Sequence, residues 1–162
     1  MRAVQLSVLA VGLAACDACG GGQRPKPLAN AEVTRPSIGV PGFERLSWGM
    51  SRDAFRALYP SFVQYERSAC FEGESALGHH RLHADACFDT AGLRSIGLSI
   101  GLSNQPGYDA LLAGVVAELD RTFGPSSDRL TWSGAETKAV VFHMGQSGPY
   151  SFTTVHLGPR DR

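Results

Sequence analysis

The chain has 162 residues, 43% of them hydrophobic and 19% charged, with 15 basic and 15 acidic side chains. That length leaves room for one domain and a tail. The apolar content excludes a fully disordered chain, and the balanced charge offers no clustered basic excess for nucleic acid. Four cysteines are too few for a disulfide-dense scaffold.

At the N-terminus a single cation, Arg2, precedes an uncharged run from Ala3 to Ala15. The run is too short to span a bilayer, which needs about 20 apolar residues. It has the length of a signal-peptide core, roughly 7–15 residues. Leu13-Ala14-Ala15-Cys16 resembles the lipobox of bacterial lipoproteins. The resemblance implies that residues 1–15 are a signal peptide and that Cys16 becomes an acylated N-terminus. Several acyl chains hold a protein on a membrane where one gives only marginal binding. The lipid anchor implies a location on the cell membrane or the outer membrane, with the domain facing periplasm or exterior; Asp17 after the cysteine resembles an inner-membrane retention signal, whose rule varies between lineages. Cys16-Asp17-Ala18-Cys19 also matches C-x-x-C, but a redox motif needs a folded βαβ context. It leaves Cys19 as a thiol without an assigned role.

From residue 16 to residue 41 the chain is poor in large apolar side chains and carries Gly20-Gly21-Gly22, Pro25, Pro27, Pro36 and Pro41. Such composition does not offset its own ordering entropy. It reads as a disordered tether, reaching roughly 25–30 Å as a flexible coil.

A single domain is expected over residues 42–159. Its first helix follows Trp48-Gly49-Met50, with Ser51 as N-cap, Asp53 in the first turn, and Met50 and Phe55 at the spacing of a hydrophobic staple. Pro60 ends it. Strands are expected at His80 to Phe88 and Leu93 to Leu102, where apolar and small or polar residues alternate, joined by a turn at Asp89 to Gly92. A second helix is expected from Gly107 to Phe123, where Leu111, Leu112, Val115, Val116, Leu119 and Phe123 recur at helical spacing before Gly124-Pro125. Three more strand candidates follow, at Arg129 to Ser133, Lys138 to Met144 and Tyr150 to Leu157.

The order predicts an α+β fold. Two α-then-β-meander units would form an antiparallel sheet with two helices on one face. The Trp-Gly-Met-Ser helix start and the Phe-Gly-Pro helix end followed by a tryptophan strand resemble those of small exported bacterial proteins. The arrangement is similar to the outer-membrane-assembly small lipoproteins and the β-lactamase-inhibitor-protein-like domains. That resemblance implies binding to proteins or peptidoglycan-associated machinery rather than catalysis; no cofactor is expected.

Cys70 and Cys87 form the first candidate constellation. Export implies an oxidising compartment in which disulfides persist. Pairing 70 with 87 sets a hairpin register that places Leu77 opposite His80, with Gly78-His79 as a two-residue turn of type II′. Antiparallel neighbours stand close enough to be bridged. The alternatives are two free thiols or a metal pair.

The metal alternative draws on the strand from His79 to Cys87. His83, Asp85 and Cys87 share one face, and the same register puts Glu74 opposite His83 and Glu72 opposite Asp85. Facing acids repel, so a cation or a water gap would relieve them; for a cation, His83, Asp85 and Glu74 are the ligand candidates. Ligand spacing typical of a zinc motif is absent, and a solvated polar face accounts for the same residues.

Gly97-Leu98-Ser99-Ile100-Gly101 matches G-x-S-x-G, with Asp120 and then His143 or His156 in hydrolase order. The motif requires a sharp strand-to-helix turn, whereas Ser99 lies inside an alternating strand. Trp48, Trp132, Phe142, Tyr150 and Phe152 could line a ligand cleft or partner patch, although aromatics at strand and helix-flank positions are more often core. The functional expectation is a non-enzymatic, membrane-anchored envelope module that binds another protein. The alternatives are a small-ligand or metal-binding sensor and an envelope hydrolase.

Overall fold

The computed structural model describes residues 36–65, 68–145 and 151–160. The lipobox with Cys16, Cys19, the signal run, the tether up to residue 35, and Tyr150 lie outside the described residues.

Among the described residues, two helices and seven strands make an α+β fold dominated by its sheet. The elements are α1 (Arg52–Leu58), β1 (Val63–Gln64), β2 (Cys70–Leu77), β3 (His80–Asp89), β4 (Gly92–Leu102), α2 (Tyr108–Phe123), β5 (Thr131–Ser133), β6 (Thr137–Met144) and β7 (Phe152–Pro159). The sheet order is β1-β2-β3-β4-β7-β6-β5, and every neighbouring pair is antiparallel. The last strand thus pairs with β4 in the middle of the sheet, and the two edges are the short β1 and β5. Short edge strands limit uncontrolled pairing with other chains.

α1 starts where the cap chemistry places it. The Ser51 hydroxyl accepts from the Ala54 amide at 3.2 Å, and Asp53 sits in the first turn, where the helix dipole favours an acid. Seven residues are too few for an isolated helix in water. α1 is held through Phe55, which is fully buried against Phe62, Phe71 and Phe88 at 5.3, 5.7 and 5.4 Å between ring centroids.

α2 has no side-chain cap at its start, where Gly107 lies at φ 80°. It contacts β3, β4 and β5 and buries Val115 and Leu119. Gly114 in its middle has a steric reason. A Cβ there would lie 2.4 Å from the His80 ring, so any side chain at this position would have to displace that ring from beneath the helix. The His80 Nε2 is buried under it with no hydrogen-bond partner among the described residues. One turn further, the buried Glu118 pairs with Arg121. Its carboxylate covers Gly78 so closely that a Cβ at Gly78 would lie 2.6 Å away. Gly78 carries φ 60°, the sign required at the first central position of a type II′ hairpin.

Alternate residues of the strands build the core. Phe71 faces Ala86, Ala84 faces Leu98, Leu98 faces Val155, and Val155 faces Val141, and all of these are buried. The core extends further toward the N-terminus than composition indicates. Ile38 and Val40, which fall within the expected tether, are 1% and 0% exposed. The Ile38 amide donates to Leu46 O at 2.9 Å, and its carbonyl accepts from the buried Thr137 hydroxyl at 2.5 Å. Trp48 Nε1 donates to the same Thr137 oxygen at 3.1 Å. This ties the segment before α1 to β6. Among the described residues no helix is long and apolar enough to cross a membrane.

Candidate functional site

Phe55 of α1 and Val115 and Leu119 of α2 belong to the same buried cluster as the inward residues of the strands, which leaves the opposite face of the sheet. Residues alternating with the buried set point there: Glu72 and Glu74 on β2, His83, Asp85 and Cys87 on β3, Ser95, Gly97 and Ser99 on β4. They continue with Thr154 and His156 on β7 and Val140, Phe142 and Met144 on β6. Among the described residues no helix covers this face. Ser95, Gly97 and Ser99 of β4 lie between the polar residues of β2 and β3 and the largely apolar residues of β6.

The polar half is organised by a disulfide. Cys70 and Cys87 are bonded, with a Cα separation of 3.9 Å, and the β2–β3 register runs from that pair to Leu77 opposite His80. Two pairs along, Glu72 stands opposite Asp85. His83 Nε2 lies 3.4 Å from Asp85 Oδ1 and 3.8 Å from Glu72 Oε2. Glu74, a ligand candidate from the register alone, is opposite His83 in backbone pairing, but its carboxylate turns to Arg81 at 2.8 Å. Glu72 joins His83 and Asp85 in its stead. The difference lies in side-chain rotation, which a register does not specify. With its sulfur in the bridge, Cys87 is not a ligand.

The apolar half is formed by β6 and β7. Phe142 and Met144 are 47% and 53% exposed. Met144 pairs with Phe152, and Phe142 pairs with Thr154. His156 presents its ring to Phe142 at 6.1 Å between centroids, and burial pushes its imidazole below the usual histidine range. On the opposite edge Val63 and Tyr65 are also exposed. A depression of about 410 Å³ lies at one end of this face, lined by Ser95, Lys138, Val140 and His156.

A second depression of about 410 Å³ lies on the helix side, between α2 and the β5–β6 corner, lined chiefly by Leu112, Val116, Leu130 and Val141 with Arg129 and His143. Thr153 is fully buried beneath it. Its hydroxyl meets Tyr108 OH at 2.5 Å and His143 Nδ1 at 2.8 Å. The turn leading into β5 is pinned by Asp128. Its Oδ1 accepts from the Leu130 and Thr131 amides at 2.9 Å and from the Ser126 hydroxyl at 2.7 Å. These bonds hold its carboxyl down at about 2, led by the Leu130 amide.

The G-x-S-x-G residues do not assemble a triad with the partners named from their order. Ser99 lies within β4, paired with Thr154 and His83. Asp120 is on α2, where Oδ1 accepts from Trp132 Nε1 at 2.8 Å and from the Ser126 amide at 3.2 Å. His143 faces the core side with Thr153, and His156 pairs with Gly97 on the open face. Of the aromatic candidates, Trp132 is buried and Trp48 is packed against the core, Phe152 is half-buried, and Phe142 is exposed. No protein-family model, no curated protein and no solved structure matches the chain.

Proposed function

We propose that this chain is a lipid-anchored envelope module without catalytic activity, whose open sheet face docks another envelope protein. The observation that carries the docking half is the patch of Phe142, Met144 and Phe152, with Val140 beside it, on a face no described helix covers. Aromatic residues and methionine are enriched where protein interfaces are buried, and a polar rim surrounds them. Here Lys138 and His156 lie at the rim. A rim of charged and titratable groups suits a protein partner better than a bilayer, which would require them to leave water.

The anchoring half rests on Leu13-Ala14-Ala15-Cys16 and its resemblance to a lipobox. In this reading residues 1–15 are a signal peptide and the chain up to the folded domain is a tether. The domain consists of two α-then-β-meander units with both helices on one face. The sheet order supports that division, since β1 to β4 are consecutive neighbours and β5 to β7 form a second consecutive set.

Cys16→Ala tests the anchor. The variant is expected to move from the detergent-rich to the aqueous phase on fractionation, and unchanged partitioning would refute lipidation. Crosslinking from position 142 in intact cells tests the docking.

A further inference from the structure

The polar half of the open face carries a constellation independent of the docking patch. Glu72 on β2 and His83 and Asp85 on β3 present one donor atom each, and the three atoms lie within 4.8 Å of one another. Two of the separations are 3.4 and 3.8 Å. Ligands bound to zinc at about 2.0–2.1 Å in tetrahedral geometry stand roughly 3.4 Å apart. The two separations from His83 are close to that spacing, and the Glu72 and Asp85 oxygens lie within 4.8 Å of each other. From this geometry we infer that Glu72, His83 and Asp85 bind a zinc-class divalent cation, with a fourth position open to water or to a ligand atom from outside.

Charge, donor type, rigidity and room all favour that occupant. Two carboxylates directly opposite each other on antiparallel strands repel. Among the described residues only His83 lies within ion-pair distance of them, because Arg81 is engaged by Glu74. A divalent cation neutralises both acids while the imidazole remains neutral as its ligand. The donor set of one imidazole and two carboxylates suits zinc and its neighbours. Calcium and magnesium take oxygen donors in larger number.

The Cys70–Cys87 bond lies two residues from the Glu72–Asp85 pair. It fixes the register of the two strands that supply the ligands, so little chain entropy is lost on binding. Gly97 stands opposite Asp85 on β4. A Cβ there would lie 3.5 Å from Asp85 Oδ2, and the absence of a side chain leaves the approach open.

The test is a Zn²⁺ titration of the oxidised full chain carrying Cys16→Ala and Cys19→Ala, which removes the proposed lipid attachment and the second cysteine outside the described residues. Binding is followed by calorimetry and by the His83 ring resonances. One saturable site that moves the His83 ring is expected. His83→Ala and Glu72→Gln should each weaken it at least tenfold, while Glu74→Gln should leave it unchanged. A His83 ring unmoved by Zn²⁺, with no saturable heat, overturns the site. Equal loss in Glu74→Gln and Glu72→Gln overturns the ligand assignment. All three substituted side chains are solvent-accessible, and a retained Cys70–Cys87 bond and melting temperature confirm that the variants remain folded.

Discussion

Phe55→Ala is expected to destabilise the domain by about 3–5 kcal/mol, the range for removing a fully buried aromatic ring. Phe55 is the only buried residue of α1. Its ring is shared by four aromatic neighbours, with Tyr59 stacked at 5.2 Å and Phe62 and Phe88 edge-on at 5.3 and 5.4 Å. The space it vacates is walled by Phe71 and Phe88 on a hydrogen-bonded sheet, so collapse is limited and the cavity cost persists. A seven-residue helix has no stability of its own to fall back on. Urea denaturation should show a lower midpoint, and the melting temperature should drop by roughly 10 °C. A loss below about 1 kcal/mol would mean that α1 is not held through this ring.

The second large effect concerns the disulfide. Its cysteines are separated by 17 in sequence, and closing a loop of that length in the unfolded chain is worth about 3 kcal/mol in the chain-entropy account. The double substitution Cys70→Ala, Cys87→Ala should lower stability by about that amount without leaving a lone thiol. The wild-type chain should lose the same amount on addition of a reductant, whereas the double variant should not respond. A wild-type melting temperature indifferent to reductant would contradict the contribution. The bridge also guards the register. A slip of β2 by one residue against β3 would turn Phe71 outward and Glu72 into the core.

The β2–β3 hairpin was readable from residues because two independent constraints coincide. The cysteine pair fixes the register, and Gly78 at φ 60° marks the turn. The ends of both helices were readable through Ser51 and Gly124, which act locally. Other parts depend on tertiary context. β1 is two residues long and exists by pairing with Glu72 and Phe71, so it carries no periodic signal. Ile38 and Val40 lie among Pro36, Gly39, Pro41 and Gly42. Turn-forming neighbours mask two side chains that the core recruits.

β6 posed a different ambiguity. Ala139 and Val141 lie on one face, and Val140, Phe142 and Met144 on the other, so both faces read as apolar. Only the placement of the helices decides which is buried. The candidate metal cluster was readable to within one side chain. The register brings β2 acids to His83 and Asp85, but the choice of Arg81 for Glu74 leaves Glu72 as the third donor.

The lowered imidazole of His156 adds a pH sense to the open face. Burial disfavours its protonated form in the folded state, so the unfolded chain binds more protons below the ordinary histidine range. Stability contributed by keeping this ring neutral is present above that range and is lost as pH falls through it.

The central claim is that the exposed apolar half of the sheet is a docking face. The most direct measurement incorporates a photocrosslinking residue at Phe142 in the anchored, full chain in intact cells, with Arg81 on the polar half and Arg56 on α1 as comparison positions. The account predicts one discrete adduct from position 142. That adduct should be absent from position 56 and abolished when Met144→Asp places a charge within the patch. The same adduct from all three positions, or repeated absence of an adduct from position 142, would contradict it.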